Sequence, residues 1–373
     1  MKPKLSILDP NPTPLQYLSG LSQELFREIY IKRDDLTPFG GGGNKLRKLE
    51  YLMIEALNSQ ATTIVTVGAP QTNHGRLTAA VAAKFGLKCI IVAVGDTDGE
   101  LSGNLLLDGI FGARVVLKHD DGRDHDVQLE ETVKKVMAAE LKKGEQVYFI
   151  PMGGSDTTGM LGYMDCAREL DAQAKEQQID GATVYVAVGS MGTYLGLYCG
   201  LKAIQSNLKL VGIAVMPFDM EKLKACFKQA KEEYGFDFDG DFHVETGYIG
   251  KGYNEPEPRV REAIYTMARH EGILLDPCYT GKMFAGVLSM IKEKKIKLGR
   301  QVILVHTGGM PGLYTKAHRI KFENDLKNQI EIVKEKNVSP RGHVFFVGEP
   351  KTDSSDGRPV RNLDDSLSTL TGK

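Results

Sequence analysis

TIVTVGAPQTNHGRLTAAVAAKFGLKCIIVAV, residues 63–94, is the stretch that decides the fold. It opens on an unbroken apolar and β-branched run, Thr63–Val67, and closes on a second, Lys88–Val94. Between them lies the small and polar loop Gly68-Ala69-Pro70-Gln71-Thr72-Asn73-His74, followed by helically spaced apolar residues over His74–Phe85. Two fully apolar strands joined by a helix predict a parallel pair buried on both faces. The stretch is a strand–helix–strand unit, and its class is α/β.

The same alternation extends in both directions. Strands are expected at Arg114–Leu117 and Val147–Ile150, then at Thr183–Val188, Lys209–Val215 and Val302–His306. Helices are expected at Asn44–Leu57 and Val127–Lys143, then at Met191–Ile204, Glu221–Tyr234, Arg259–His270 and Lys282–Lys294. The series restarts after Pro151-Met152-Gly153-Gly154, which predicts two doubly wound sheets rather than one. No repeat of solenoid length is present. From Asn337 the chain turns polar, with glycine and proline, and the short apolar run His343–Gly348 reads as an added edge strand or a surface for a partner subunit. The final stretch reads as mobile.

Composition removes several function classes. A formal net charge of -1 gives no global attraction to nucleic acid. The opening residues lack the apolar core of a secretory signal, and no apolar run is long enough to span a bilayer, so a cytoplasmic protein is expected. The five cysteines, Cys89, Cys166, Cys199, Cys226 and Cys278, form no C-x-x-C pair, and the eight histidines show no metal-ligating spacing. No disulfide framework and no metal are expected.

The chemistry gathers where strands lead into helices. Gly40–Gly43 precede Asn44-Lys45, with Asn44 expected to cap the helix and Lys45 in its first turn. The positive end of a helix disfavours an ammonium, which favours the neutral amine that Schiff-base formation requires. Taken alone, the segment reads equally well as a surface lysine after a loop. It is not a Walker loop, because Asn44 precedes and Leu46 follows the lysine. Thr72, Asn73 and His74 offer a carboxylate cradle or a plain helix cap. Gly189-Ser190-Met191-Gly192-Thr193 opens a helix with small residues that admit a phosphate, a pattern that is also common without one. Tyr279 offers an aromatic plate or a core tyrosine, and Thr307 a hydroxyl for a ring nitrogen or for its own turn.

Taken together, these segments resemble the D-cysteine desulfhydrase and 1-aminocyclopropane-1-carboxylate deaminase family, of the tryptophan-synthase-β fold type (fold type II of the pyridoxal-phosphate enzymes). The matching pieces are KRDDLTP, GGNKLRKLEYL, GAPQTNHGRLTAAVAAKFGLKCI, PMGGSDTTGMLGY, VGSMGTYLGL, GYNEPEPRVREAIYTMARHEGILLDPCYTGK and HTGGMPGL. They run in the family's order from about Asp9 to Tyr314. The resemblance implies pyridoxal 5'-phosphate held by Lys45, with Gly189, Ser190, Met191, Gly192 and Thr193 on its phosphate. It implies Asn73 near the phenolic oxygen, Tyr279 on the ring and Thr307 at the ring nitrogen. The substrate, a small amino acid, would meet Thr72, Asn73, His74, Gly154, Tyr253 and Thr280, and Lys45, Thr72 and Tyr279 are the catalytic candidates. It further implies a smaller mobile lobe at 46–160, a larger lobe from 1–45 and 161–336, and a homodimer, while the tail lies outside the resemblance and 337–373 reads as a C-terminal extension, partly disordered.

The departures point to the substrate. Deaminases of the family resemble D-P-V-Y-E-G-K and H-L-G-G, whereas this chain has Thr280 and Thr307 in place of that glutamate and leucine. A neutral hydroxyl makes the ring a weaker electron sink than a carboxylate does, which suits β-elimination better than ring opening. Thr72 replaces a usual serine, Cys278 a valine and Gly312 an alanine. The reading is α,β-elimination, from D-cysteine to pyruvate, sulfide and ammonia. Cysteate, β-chloroalanine, serine or a β-replacement remain alternatives, as does a cofactor-binding protein without activity.

Overall fold

The computed structural model describes residues 2–7, 12–95 and 101–329. In chain order its elements are β1 (Leu15–Tyr17), α1 (Ser19–Leu25), β2 (Glu28–Arg33), α2 (Lys45–Asn58), β3 (Thr63–Gly68), α3 (Asn73–Lys84) and β4 (Lys88–Val94). There follow α4 (Gly103–Ile110), β5 (Arg114–Lys118), α5 (His125–Lys142), β6 (Val147–Ile150), α6 (Thr157–Glu176), β7 (Thr183–Val188) and α7 (Gly192–Ala203). The last are β8 (Lys209–Ala214), α8 (Met220–Tyr234), β9 (Val244–Glu245), α9 (Pro258–Glu271), α10 (Thr280–Lys292), β10 (Gln301–His306) and α11 (Lys316–Leu326). The chain divides into units 1–322 and 323–373, and both sheets belong to the first. The expected strand at His343–Gly348 and the mobile tail lie outside the described residues.

One sheet has six strands in the order β1-β2-β10-β7-β8-β9, and the other four in the order β5-β4-β3-β6. All pairs are parallel except β1 on β2. The period-2 alternation of strand side chains builds a core on each face. On β7, Val184, Val186 and Val188 join a cluster with Tyr163, Leu197 and Ile303, while Tyr185 and Ala187 join Ile29, Leu304 and Phe284 on the opposite face. In the smaller sheet, Ile64 and Ile91 pack with Leu46, Leu49 and Leu77. Val65, Val67 and Val92 pack with Leu129, Val133 and Val136 of α5. The fold is α/β, with two mostly parallel sheets flanked by helices. No described helix is long and apolar enough to cross a membrane.

Every strand read from sequence within the described residues is present; β1, β2, β9, α1, α4, α6 and α11 were not anticipated. Strand β2 carries Lys32, which is fully buried with its amine on Glu169, on Thr13 O (2.6 Å) and on Gln173 Oε1 (2.8 Å). Helix α6 is capped by Asp156, which accepts from Gly159 N at 2.6 Å, but its glycines hide it in the sequence. Gly162 is needed there because a Cβ would lie 2.1 Å from Arg47 O of the crossing helix.

Candidate active site

The site is built where the loops after β2, β3, β6, β7 and β10 meet. From β2 the chain passes through Gly40–Gly43, all at positive φ (58, 79, 72 and 130°), into α2. A Cβ at Gly42 would stand 2.1 Å from Asp35 O, so only glycine closes this turn. Asn44 does not cap the helix as expected. Its backbone is already helical, its N–H donates to Thr307 O (3.0 Å), and its amide donates to Thr193 Oγ1 (2.9 Å). The first turn of α2 is fixed instead by Arg47, which makes two 2.8 Å bonds to Asp34, itself fully buried and bonded by Tyr163 (2.6 Å). Burial pushes the Asp34 carboxyl up, but Arg47 overrides it and holds it at about 2.

Lys45 points its amine to Gly153 O (3.3 Å), in the turn after β6. Burial pushes that amine down to about 8. One turn on, the fully buried Lys48 reaches the same carbonyl (3.0 Å) and Ser155 Oγ (3.1 Å). Burial, then the neighbouring Lys45, drives its pKa well below that of an ordinary lysine. Gly153 sits at φ 67°, and a Cβ there would lie 2.3 Å from Ser190 Oγ and 3.3 Å from Lys45 Nζ. Gly154, at φ 55°, lies against Leu52 and His74. Sequence had singled out Gly154, whereas the carbonyl that gathers the lysines belongs to Gly153.

Opposite stands the loop after β7. Ser155 Oγ donates to Ser190 Oγ (2.8 Å), Met191 adopts φ 67°, and α7 begins without a side-chain cap. A Cβ at Gly192 would come within 2.7 Å of Ser155 Oγ. A bare helix start beside a buried lysine with no ion pair among the described residues is a donor set for a doubly charged anion. Gly189 packs against the Tyr279 ring, with a Cβ there falling 3.1 Å from Cε1. The Tyr279 hydroxyl meets that of Tyr253 at 2.7 Å, the rings crossing at 74°. These features fit pyridoxal phosphate: Lys45 for its aldehyde, Lys48, Ser190 and the start of α7 for its phosphate, and Tyr279 for its ring. Thr307, just after β10, reaches the same junction through its carbonyl, which accepts from Asn44 N (3.0 Å).

The loop after β3 supplies the remaining groups. Thr72 caps α3, its Oγ1 accepting from Gly75 N at 3.3 Å. The Asn73 Oδ1 is held by Asn104 Nδ2 (2.9 Å), and its own Nδ2 lies beside Gly309. His74 is buried beneath the loop with Nε2 on Thr66 Oγ1 (3.0 Å) and Nδ1 without a partner among the described residues, and burial with Lys45 and Lys48 nearby keeps its ring neutral. One expectation needs correcting. Thr280 is fully buried, and its hydroxyl donates to Asp276 Oδ1 (2.6 Å) while accepting from Asp276 N (2.9 Å), which leaves no donor for substrate. Cys278 is buried, and burial with Asp276 close by pushes its thiol up, away from the nucleophilic thiolate. Lys48, Ser155 and Asn104 were missed from sequence. The signal for Lys48 was a lysine three residues after Lys45, on one helical face with it.

A lysine whose amine burial lowers to about 8, beside a bare helix start on this two-sheet fold, marks the class of pyridoxal-phosphate enzymes. Residues 8–308 match the family model described as pyridoxal-phosphate dependent enzyme, and the chain belongs to that family. A D-cysteine desulfhydrase of Salmonella newport (strain SL254) is 40% identical over 320 residues, covering 84% of this chain and 95% of the relative. A crystal structure of an ACC deaminase homologue superposes with a TM-score of 0.77 at 35% identity, covering 87% of this chain and 96% of the other. A hydrogen sulfide-producing enzyme from Fusobacterium nucleatum, at 20% identity, shares the fold with a TM-score of 0.56 over 81% of this chain and 96% of its own.

Proposed function

We propose that this protein eliminates sulfide from D-cysteine, turning one D-cysteine and one water into pyruvate, hydrogen sulfide and ammonia. The observation that carries the reading is Lys45, whose amine burial holds at about 8 within hydrogen-bond reach of the Gly153 turn. The name of the 40%-identical relatives supports the choice of substrate. When bound, the cofactor supplies an electron sink conjugated to the substrate Cα, which makes the Cα–H acidic. Lys48, Gly189, Ser190, Met191, Gly192 and Thr193 would hold its phosphate, and Thr307 would face its ring nitrogen.

Lys45 Nζ, which burial lets lose its proton at about 8, takes the Cα proton, and the β-thiol leaves as sulfide. The Thr72 hydroxyl, whose oxygen already accepts from Gly75 N, has its proton left to donate to the substrate carboxylate. Because Asn104 claims the Asn73 oxygen, the Asn73 amino group is presented as donor. Tyr253 and Tyr279 wall the pocket. The strands at 63–150 and their helices act as the smaller, mobile lobe (46–160), which closes on the larger one (1–45 and 161–336) and excludes water. A homodimer in the cytoplasm is carried over from the resemblance.

The experiment is direct. Purified protein with pyridoxal phosphate is given D-cysteine and L-cysteine separately, and pyruvate and sulfide are measured. Equimolar pyruvate and sulfide from the D-isomer is the expected result, and none from D-cysteine rejects the proposal.

A further inference from the structure

One fully buried cation has no part in the chemistry above. Lys282 lies one turn into α10, three residues after Tyr279, and is wholly shielded from solvent. Its ammonium donates to Ile249 O (3.1 Å), to Gly252 O and to Val215 O (3.5 Å), with Glu257 Oε1 at 3.7 Å. Val215 follows the end of β8, while Ile249 and Gly252 belong to the loop before α9. A lysine has three N–H donors and no acceptor, so three backbone oxygens from two separate segments match it fully.

The loop is organised around that charge. Glu257 is buried and takes Lys251 N (3.0 Å) and Arg259 Nε (3.1 Å). Gly250 turns at φ 74° directly over the carboxylate, where a Cβ would lie 2.1 Å from Oε1. The residue after Gly252 is Tyr253, whose hydroxyl lies 2.7 Å from that of Tyr279. Lys282 and Tyr279 thus reach the same loop from successive turns of one helix start, the first through its backbone and the second through its tyrosine.

We propose that Lys282 is a positioning residue: its ammonium knots the carbonyls of Val215, Ile249 and Gly252 together and so fixes Tyr253 against Tyr279 as the wall of the substrate pocket. The proposal rests on the reading of that pair as the substrate wall. Removing the ammonium takes the shared donor from three carbonyls, that of Val215 fully buried, which loosens the loop while Glu257 keeps Lys251 N and Arg259 and the cofactor cradle, in the loop after β7 and on α2, stays built.

The test uses the holoenzymes of Lys282→Ala and Lys282→Met. Both keep the visible absorbance of lysine-bound pyridoxal phosphate, and trypsin cleaves after the exposed Lys251 faster than in the parent. The KM for D-cysteine rises at least about tenfold while kcat changes by less than about threefold. Methylammonium, the missing end of the side chain, slows cleavage and lowers KM in the alanine variant only, since methionine fills the space. Unchanged cleavage and KM overturn the proposal, as does equal response of both variants to methylammonium. Loss of the cofactor band from both variants also overturns it, because Lys282 would then support the whole core. If the parent does not act on D-cysteine but the cleavage results hold, the functional reading fails and the positioning role stands.

Discussion

Lys45 and Lys48 converge on one acceptor, the carbonyl oxygen of Gly153, at 3.3 and 3.0 Å. Two amines on one face of α2 repel when both are charged, and burial leaves each of them neutral more readily than an ordinary lysine. On the proposed reading they divide the work, one amine for the aldehyde of the cofactor and one for its phosphate. Lys45→Ala should therefore lose the visible band outright. Lys48→Met should keep the band but need roughly a hundredfold more pyridoxal phosphate to reach it, the cost of a buried charge-assisted contact. Absorbance titration of the apoenzymes decides; a normal titration for Lys48→Met would remove that residue from the phosphate site.

The pH at which the apoenzyme captures its cofactor follows from the same geometry. Only a neutral amine attacks an aldehyde, and the Lys45 amine loses its proton at about 8. The rate of capture, followed by stopped-flow absorbance, should climb with pH up to about 8 and flatten above it. A rate still climbing steeply toward the ordinary lysine pKa of roughly 10.4 would show that burial does not tune this group.

Thr72 has two jobs that a serine can do and an alanine cannot. Its oxygen caps α3 through Gly75 N, and its proton is available to substrate. Thr72→Ala should cost about 1 kcal/mol of stability and roughly a hundredfold in kcat/KM. Thr72→Ser should restore most of both. Urea unfolding and steady-state kinetics separate the two effects, and a serine variant as poor as alanine would assign the role to the methyl group.

How much of this was legible in the sequence depends on the range of each interaction. Lys45, Thr72, Asn73 and Gly189–Thr193 announce themselves locally, because glycines and polar residues interrupt apolar strand and helix patterns. Lys48 does not, since its meaning comes from Ser155, 107 residues away. Strand β2 was hidden by its own charges: Lys32 and the following Asp34 read as surface until Glu169 and Arg47 are seen to pair with them. Helix α6 was hidden by glycines that serve close helix crossing rather than a turn. Thr280 was placed by resemblance in a pocket from which its own hydrogen bonds withdraw it.

Gly153 should tolerate no side chain. Its φ of 67° strains any L-residue, and a Cβ would strike Ser190 Oγ at 2.3 Å. Gly153→Ala should cost on the order of 1 to 2 kcal/mol from the backbone alone and displace the carbonyl that both lysines use. Weaker cofactor retention on gel filtration, together with a lower Tm, is expected. An alanine variant that holds its cofactor normally would mean the turn can relax without moving Lys45.

Asp108 on α4 gives the stability a pH dependence of its own. It is fully buried, neither carboxylate oxygen has a hydrogen-bond partner, and burial pushes its pKa up to about 7 despite Arg76 nearby. Between the unfolded value near 4 and about 7 the folded protein holds a proton that the unfolded chain releases, so this group's contribution falls as pH rises through that window. Above about 7 the buried charge is carried in full. Replacing it by a neutral amide removes that cost, so Asp108→Asn should gain on the order of 2 kcal/mol over the parent at pH 8, the difference shrinking toward zero near pH 4. Paired urea melts at several pH values check the trend. A stability difference independent of pH would mean that Asp108 is ionised in the folded and unfolded chain alike, and that a partner shields it.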